Sequence, residues 1–241
     1  MNFDHFVKLD NPAWWALTGP QQSFATGTSR VRRYQRGLLP FAAFEEGSPE
    51  DMGALGPWLE TGEVFFLIGE LPALPAHWKV LKELPCVQMV FQGTGGREGT
   101  IKEEPEVLAT QGEPVVISRL TDTDSRELYD LITKVQPGYY EPDTYRLGAY
   151  YGIRQSGKLV AVGGERLRLE GLTEISAICT DPDFTGRGYA QRLIAHLCQT
   201  HLSAGITPFL HVLETNRRAI RLYEYLGFVQ RRLISFWKLI A

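Results

Sequence analysis

Cysteine is scarce. The 241-residue chain has three, Cys86, Cys179 and Cys198, with no CxxC pair and no Cys/His cluster, which argues against a disulfide framework and against a zinc site. His196 and His201 are five residues apart, about 140° round a helix and wrong for two ligands on one face, so no metal is expected. No stretch approaches the roughly 18 apolar residues that a spanning helix needs. The opening MNFDHFVKLDNPAWW has no basic segment followed by an apolar run, so no membrane partner is expected and the cytoplasm is the expected location. The phosphate loop GxxxxGKS/T and the dinucleotide fingerprint are both missing. There is no long basic run or basic–aromatic platform, which removes nucleic acid as an expected partner.

What is present is a chain with a substantial apolar fraction, 44%, long enough for one large or two modest domains. Charge is uneven: residues 1–113 carry 9 basic against 15 acidic side chains, and residues 114–241 carry 16 against 13. A boundary is expected near 105–114, where EEPEVLATQGEP mixes charge, proline and glycine. The first part reads poorly: Val64 to Ile68 and Val87 to Phe91 look like buried strands, and the glycine-rich run 92–99 has no amphipathic helix after it, so a plain loop is expected there.

The informative stretch runs from Glu174 to Phe228. Thr173 to Thr180 alternates as a strand does, and Asp181-Pro182-Asp183 ends it. Thr185-Gly186-Arg187-Gly188-Tyr189-Ala190 then enters a helix whose Ala190, Leu193, Ile194 and Leu197 recur at helical spacing. Small residues let backbone approach a ligand, and a helix amino end offers N–H groups to phosphate. Pro208 to Leu213 is a short apolar strand. After Asn216, the residues Ala219, Ile220, Tyr223 and Leu226 share a helix face that Gly227 closes. On spacing alone Tyr223 is a core tyrosine.

DPDFTGRGYAQRLI followed by ETNRRAIRLYEYLGF resembles the GCN5-related N-acetyltransferases (GNAT), in particular their FR47-like branch. That family carries an R/QxxGxG/A loop and an NxxAxxxYxxxGF segment. Asn216, Ala219, Tyr223, Gly227 and Phe228 match the second, and Gly188 and Ala190 match the first, while Thr185 stands where the family has Arg or Gln. The resemblance covers about the last 125 residues. It implies a mixed α/β sheet of the GNAT acyl-CoA N-acyltransferase fold over residues 114–241, with strand order β-α-α-β-β-β-α-β-α-β. Before it, residues 1–110 would form a smaller α/β domain, one reading of which is a degenerate half of the same fold that walls the acceptor pocket.

The same resemblance implies acetyl-CoA as cosubstrate. Its pyrophosphate would lie on Thr185, Gly186, Arg187, Gly188, Tyr189 and Ala190, and its pantetheine along Ile178, Cys179 and Thr180. Asn216 and Ala219 would complete that site. It implies Tyr223 as the acid that protonates the departing thiolate. Glu174, eleven residues before Thr185, has the offset of the family's catalytic base; the residues also allow it to be an ion-pair partner of Arg166 or Arg168. Direct transfer makes Cys179 a core thiol rather than a nucleophile. Tyr139 and Tyr140, in the 137–142 loop, and Glu165 are the expected acceptor-side residues. The expected function is transfer of acetyl to an amine of a small molecule, amino acid or peptide; an acyl-CoA sensor of the same fold and a transferase for longer acyl groups are the alternatives.

Overall fold

Residues 150–180 form three successive strands, the middle one buried on both faces, and the computed structural model pairs them as an antiparallel meander. It describes residues 3–46, 49–93, 115–135 and 139–241. In chain order the elements are α1 (Pro12–Thr18), β1 (Ala25–Gly27), β2 (Val31–Tyr34), β3 (Ala42–Phe44), β4 (Val64–Ile68), β5 (Lys79–Phe91) and β6 (Ile117–Arg119). There follow α2 (Ser125–Val135), β7 (Tyr150–Gln155), β8 (Lys158–Leu169), β9 (Leu172–Thr180), α3 (Tyr189–Ser203), β10 (Thr207–Leu213), α4 (Arg217–Tyr225) and β11 (Phe228–Ile240).

Eight strands form one sheet in the order β4-β11-β5-β10-β9-β8-β7-β6, and β1-β2-β3 form a small second sheet. Its pairs are antiparallel except β9 with β10. The expected boundary, 105–114, lies outside the described residues. Of the strands before it, β1 to β3 form the small sheet, whereas β4 and β5 belong to the large one. β5 is inserted between β10 and β11, pairing Val87 with both Val212 and Leu233. The second helix expected between the first strands of the C-terminal half is a short 3-10 turn, Thr144–Leu147. The next strand, β7, begins at Tyr150.

Each face of the sheet has its own cover. Ile194, Leu197 and Cys198 of α3 and Ile220 of α4 pack with Ile175, Leu210 and Val212 on one face. On the other, α2 places Leu128, Leu131 and Ile132 against Tyr150, Val162 and Cys179. Beside α2 on that face, Ala13, Trp14 and Leu17 of α1 pack with Phe41, Phe209 and Phe236. Asn11 before Pro12 starts α1: proline at the first helical turn loses only an N–H that has no partner there. Among the described residues no helix is long and apolar enough to cross a membrane.

Candidate functional site

The parallel pair β9/β10 is short. Its register runs Leu172–Thr207, Thr173–Pro208 and Glu174–Phe209 and stops there, although β9 continues to Thr180 and β10 to Leu213. The two strands therefore separate beyond Glu174 and Phe209, opening a splay in the middle of the sheet. β9 bulges at this point: Val162 pairs with Cys179 and Gly164 with Ser176, so Ala177 and Ile178 share one opposing residue. Ala177 sits at φ 54°, a left-handed conformation that costs an L residue about 1–2 kcal/mol. A bulge supplies the local twist that turns β9 away from β10.

The glycine loop stands at the far end of β9. Asp181 ties its entrance, accepting from the Asp183 N–H at 3.2 Å and pairing with Lys158 at 2.8 Å. Gly186 and Gly188 have φ 79° and 74°. A Cβ on Gly186 would meet nothing within 4 Å, so this backbone is open to a ligand. Gly188 caps α3 without any side-chain bond, leaving the first N–H groups of a 15-residue helix facing the loop. Thr185 donates its hydroxyl to Pro182 O at 3.1 Å, and the Arg187 guanidinium lies 4.9 Å from the Phe184 ring centroid. The Tyr189 side chain is buried with Leu193, Ile153 and Val160, so the residue presents its main chain to the loop. Ala190 is half-buried at the start of the helix.

Across the splay, α4 begins at Asn216, whose Oδ1 accepts from the Ala219 N–H at 3.1 Å. This is a helix cap made by the side chain expected to serve the cofactor. Ile178, Ala219 and Tyr223 border the cluster beneath α3 and α4. The Tyr223 ring stands edge-on to Phe228, centroids 5.8 Å apart, and burial pushes its phenol up to about 12. It is therefore a protonated donor at neutral pH. Cys179 points to the α2 face, buried, with its thiol also pushed up to about 12. Thr180 closes β9, paired with Ala161.

Glu174 lies on the opposite face from Tyr223 and is not available as a base. It is fully buried, with Oε2 accepting from Arg166 Nε at 2.9 Å and Oε1 from Arg166 Nη2 at 2.5 Å. His211 Nδ1 is 2.7 Å from Oε1. Burial alone would raise the carboxyl, but the Arg166 charge and His211 overcome it and hold the group at about 2.

Arg166 reaches Glu174 because β8 bulges. Glu165 pairs with Ile175 and Arg168 with Thr173, so Arg166 and Leu167 together oppose Glu174. Gln21 fills that bulge: Nε2 donates to Arg166 O at 2.9 Å and Leu147 O at 3.1 Å, while Oε1 accepts from Arg168 N at 3.3 Å and Tyr34 Oη at 2.6 Å. The guanidinium is boxed by rings, 5.2 Å from Phe41, 5.7 Å from Phe236 and 5.8 Å from Tyr139. Behind His211, Gln88 Nε2 lies 2.9 Å from His211 Nε2 and donates to Leu9 O at 2.7 Å, and its Oε1 accepts from Arg231 at 2.8 Å. Gln88 is thus the donor to His211, which leaves Nδ1–H to bond Glu174.

These contacts correct the expected acceptor residues. Tyr139 is part of the box around Arg166 and packs on Phe66 at 4.7 Å. Tyr140 is buried against Tyr150 in the α2 core. Residues 136–138 of that loop lie outside the described residues. Glu165 faces α3, buried, 3.6 Å from both Arg168 and His201, and burial raises its carboxyl. Gln21, Gln88 and His211 carry no sequence signal, because their partners lie across the fold. Among the described residues no three His, Cys, Asp or Glu side chains converge as metal ligands would.

Comparisons with known proteins agree with this architecture. A model of the FR47-like protein family matches residues 150–237. No curated protein matches the sequence. Among solved structures, a GNAT-family acetyltransferase from Novosphingobium aromaticivorans is 32% identical, with a TM-score of 0.81 over 96% of this chain and 97% of that one. A GCN5-related N-acetyltransferase from Kribbella flavida is 15% identical, with a TM-score of 0.59 over 94% and 93%, a likeness of fold alone. The first match covers nearly the whole of both chains, and on that evidence the chain belongs to the GNAT family of acetyltransferases.

Proposed function

We propose that the chain moves an acetyl group from acetyl-CoA to a primary amine within the β9/β10 splay. The observation that carries this reading is the splay itself: two parallel strands part after Glu174 and Phe209, with the open amino end of α3 at its mouth. The loop from Thr185 to Ala190 would take the pyrophosphate on main-chain N–H groups. The pantetheine would then run beside β9 along Ile178 to Thr180. This places the thioester between Ile178 and Tyr223.

The amine nitrogen attacks the thioester carbonyl, the carbon–sulfur bond breaks, and the thiolate takes the proton of Tyr223. The proton of the amine leaves to water, and water returns a proton to the Tyr223 phenolate. Glu174 contributes by position: with Arg166 and His211 it fixes β8, β9 and β10 just where the last two diverge. The net charge of residues 114–241 favours approach of a polyanionic cosubstrate. Thiol release from acetyl-CoA should rise when primary amines are added. If calorimetry detects coenzyme binding but no amine in a broad panel accelerates release, the chain is an acyl-CoA sensor and the transfer reading fails.

A further inference from the structure

The last paired position of β9 and β10 is Glu174 with Phe209, and the next residues are Ile175 and Leu210. Side chains alternate along a strand, so both turn away from the Glu174 face and toward the face of Tyr223. Both are buried there in one cluster with Met89, Val212 and Phe228, and Ala219 and Tyr223 pack against it. Ile175 and Leu210 thus form the floor from which the two strands part.

The ladder to β8 gives the depth above this floor. Glu165 pairs with Ile175, Gly164 with Ser176 and Val162 with Cys179, which leaves Gly163 opposite Ala177 and Ile178. Ile178 therefore stands two residues of β8 above Ile175, about 7 Å at roughly 3.3 Å per residue. Apolar carbons in contact stay about 3.5–4.0 Å apart. Between a carbonyl carbon held beside Ile178 and the floor, about 3 Å remains, enough for one or two carbon–carbon bonds of about 1.5 Å.

Neither side of the floor gives way. Leu210 pairs with Met89 of β5, which is fully buried, so the strand inserted from the first half of the chain backs the floor. On the other face, Glu174 is held by Arg166 and His211 under the rings of Phe41, Phe236 and Tyr139. An alkyl chain pushed through there would separate buried charges from their partners. We infer that Ile175 and Leu210, backed by Met89, set the length of the acyl group, so that the splay takes acetyl or propionyl and excludes longer straight chains. This inference rests on acetyl transfer at the splay.

The test measures thiol release from acetyl-CoA and from hexanoyl-CoA, with the amine that best accelerates release from acetyl-CoA. The native chain should prefer acetyl-CoA at least about tenfold in kcat/KM, because the added carbons have to displace packed side chains. Leu210→Ala lowers the floor and should remove most of that preference. Leu131→Ala, the same change in the core beneath α2, should retain it. Where Leu210→Ala does not fold, the milder Ile175→Val takes its place and should raise propionyl-CoA relative to acetyl-CoA about threefold. A smaller preference in the native chain, a preference that the floor variants leave unchanged, or one that Leu131→Ala lowers equally, overturns the inference while leaving acetyl transfer intact. If no amine releases thiol, acetyl transfer is what fails, and calorimetry with the two coenzymes decides the floor. Acetyl-CoA bound about tenfold more tightly than hexanoyl-CoA by the native chain, with the difference lost in the floor variant, upholds it; equal affinities in the native chain, or a difference kept in the variant, overturn it.

Discussion

Arg166 and Glu174 face each other across two strands, joined by hydrogen bonds of 2.9 and 2.5 Å, with a bulge in β8 that points the arginine at the carboxylate. Taking both charges out of water is costly, and only their mutual pairing offsets it. Arg166→Met leaves Glu174 buried with His211 alone and should destabilise the chain by about 3–5 kcal/mol, read from the urea midpoint. Arg166→Met with Glu174→Leu removes both charges and should recover much of that loss. A double variant no more stable than the single one would mean the pair is not the source of the cost.

The same pair fixes a pH dependence. The folded carboxyl of Glu174 lies at about 2, below its ordinary 4.5, so the unfolded chain takes up this proton first. Its contribution to stability is complete above about pH 4.5 and is lost as pH falls toward 2. Unfolding free energy should therefore fall more steeply over that window in the native chain than in Glu174→Gln. Parallel slopes in urea titrations of the two would show that Glu174 is not held low.

Much of this region is legible in the sequence. Alternation places β9, helical spacing places α3 and α4, and the NxxAxxxYxxxGF match fixes Tyr223 relative to the loop. Spacing even names Arg166 as one possible partner of Glu174. What it does not contain is the bulge that makes the pair: a period of two has no term for one extra residue in β8. Nor does it contain Gln21, which is separated by 145 residues from the carbonyl it holds. Tyr139 and Tyr140 look like pocket aromatics because they lie in a loop, yet Phe41 and Phe66, from far earlier in the chain, enclose Tyr139, and Tyr150 of β7 covers Tyr140. Asn11-Pro12 is a helix-start signal that local reading could use to find α1.

Gln21 is buried and answers four partners at once. Gln21→Leu keeps the volume but leaves Leu147 O, Arg166 O, Arg168 N and Tyr34 Oη without it. Each buried polar group so orphaned costs about 1–3 kcal/mol, so a loss of at least about 3 kcal/mol is expected. Because the bulge positions Arg166, the acid-side slope between pH 4.5 and 2 should flatten as well. A variant with native stability would remove Gln21 from this account.

In the proposed mechanism Tyr223 acts on the leaving thiolate and not on binding. Tyr223→Phe keeps the edge contact with Phe228 and removes only the proton. It should lower kcat by about 10²-fold, within the usual worth of a positioned acid, while calorimetric affinity for acetyl-CoA is retained. Since burial holds the phenol up at about 12, no loss of activity between pH 7 and 10 should disappear in this variant. A kcat equal to the native value would leave thiolate protonation to water.

Thr185 spends its hydroxyl on Pro182 O and offers the coenzyme no long donor. The main chain around it is formed, with Gly186 and Gly188 in their left-handed conformations and open space at Gly186. Thr185→Arg adds a cation at an exposed position beside the proposed pyrophosphate, where an ion contact is worth roughly 0.5–1 kcal/mol. Acetyl-CoA should then bind about two- to fivefold more tightly at low salt, and the gain should shrink as salt screens it. Gly186→Ala should act in the opposite direction, since an alanine is strained at φ 79° and its Cβ would crowd the proposed pyrophosphate. If Thr185→Arg weakens binding while Gly186→Ala leaves it unchanged, the pyrophosphate does not lie on this loop.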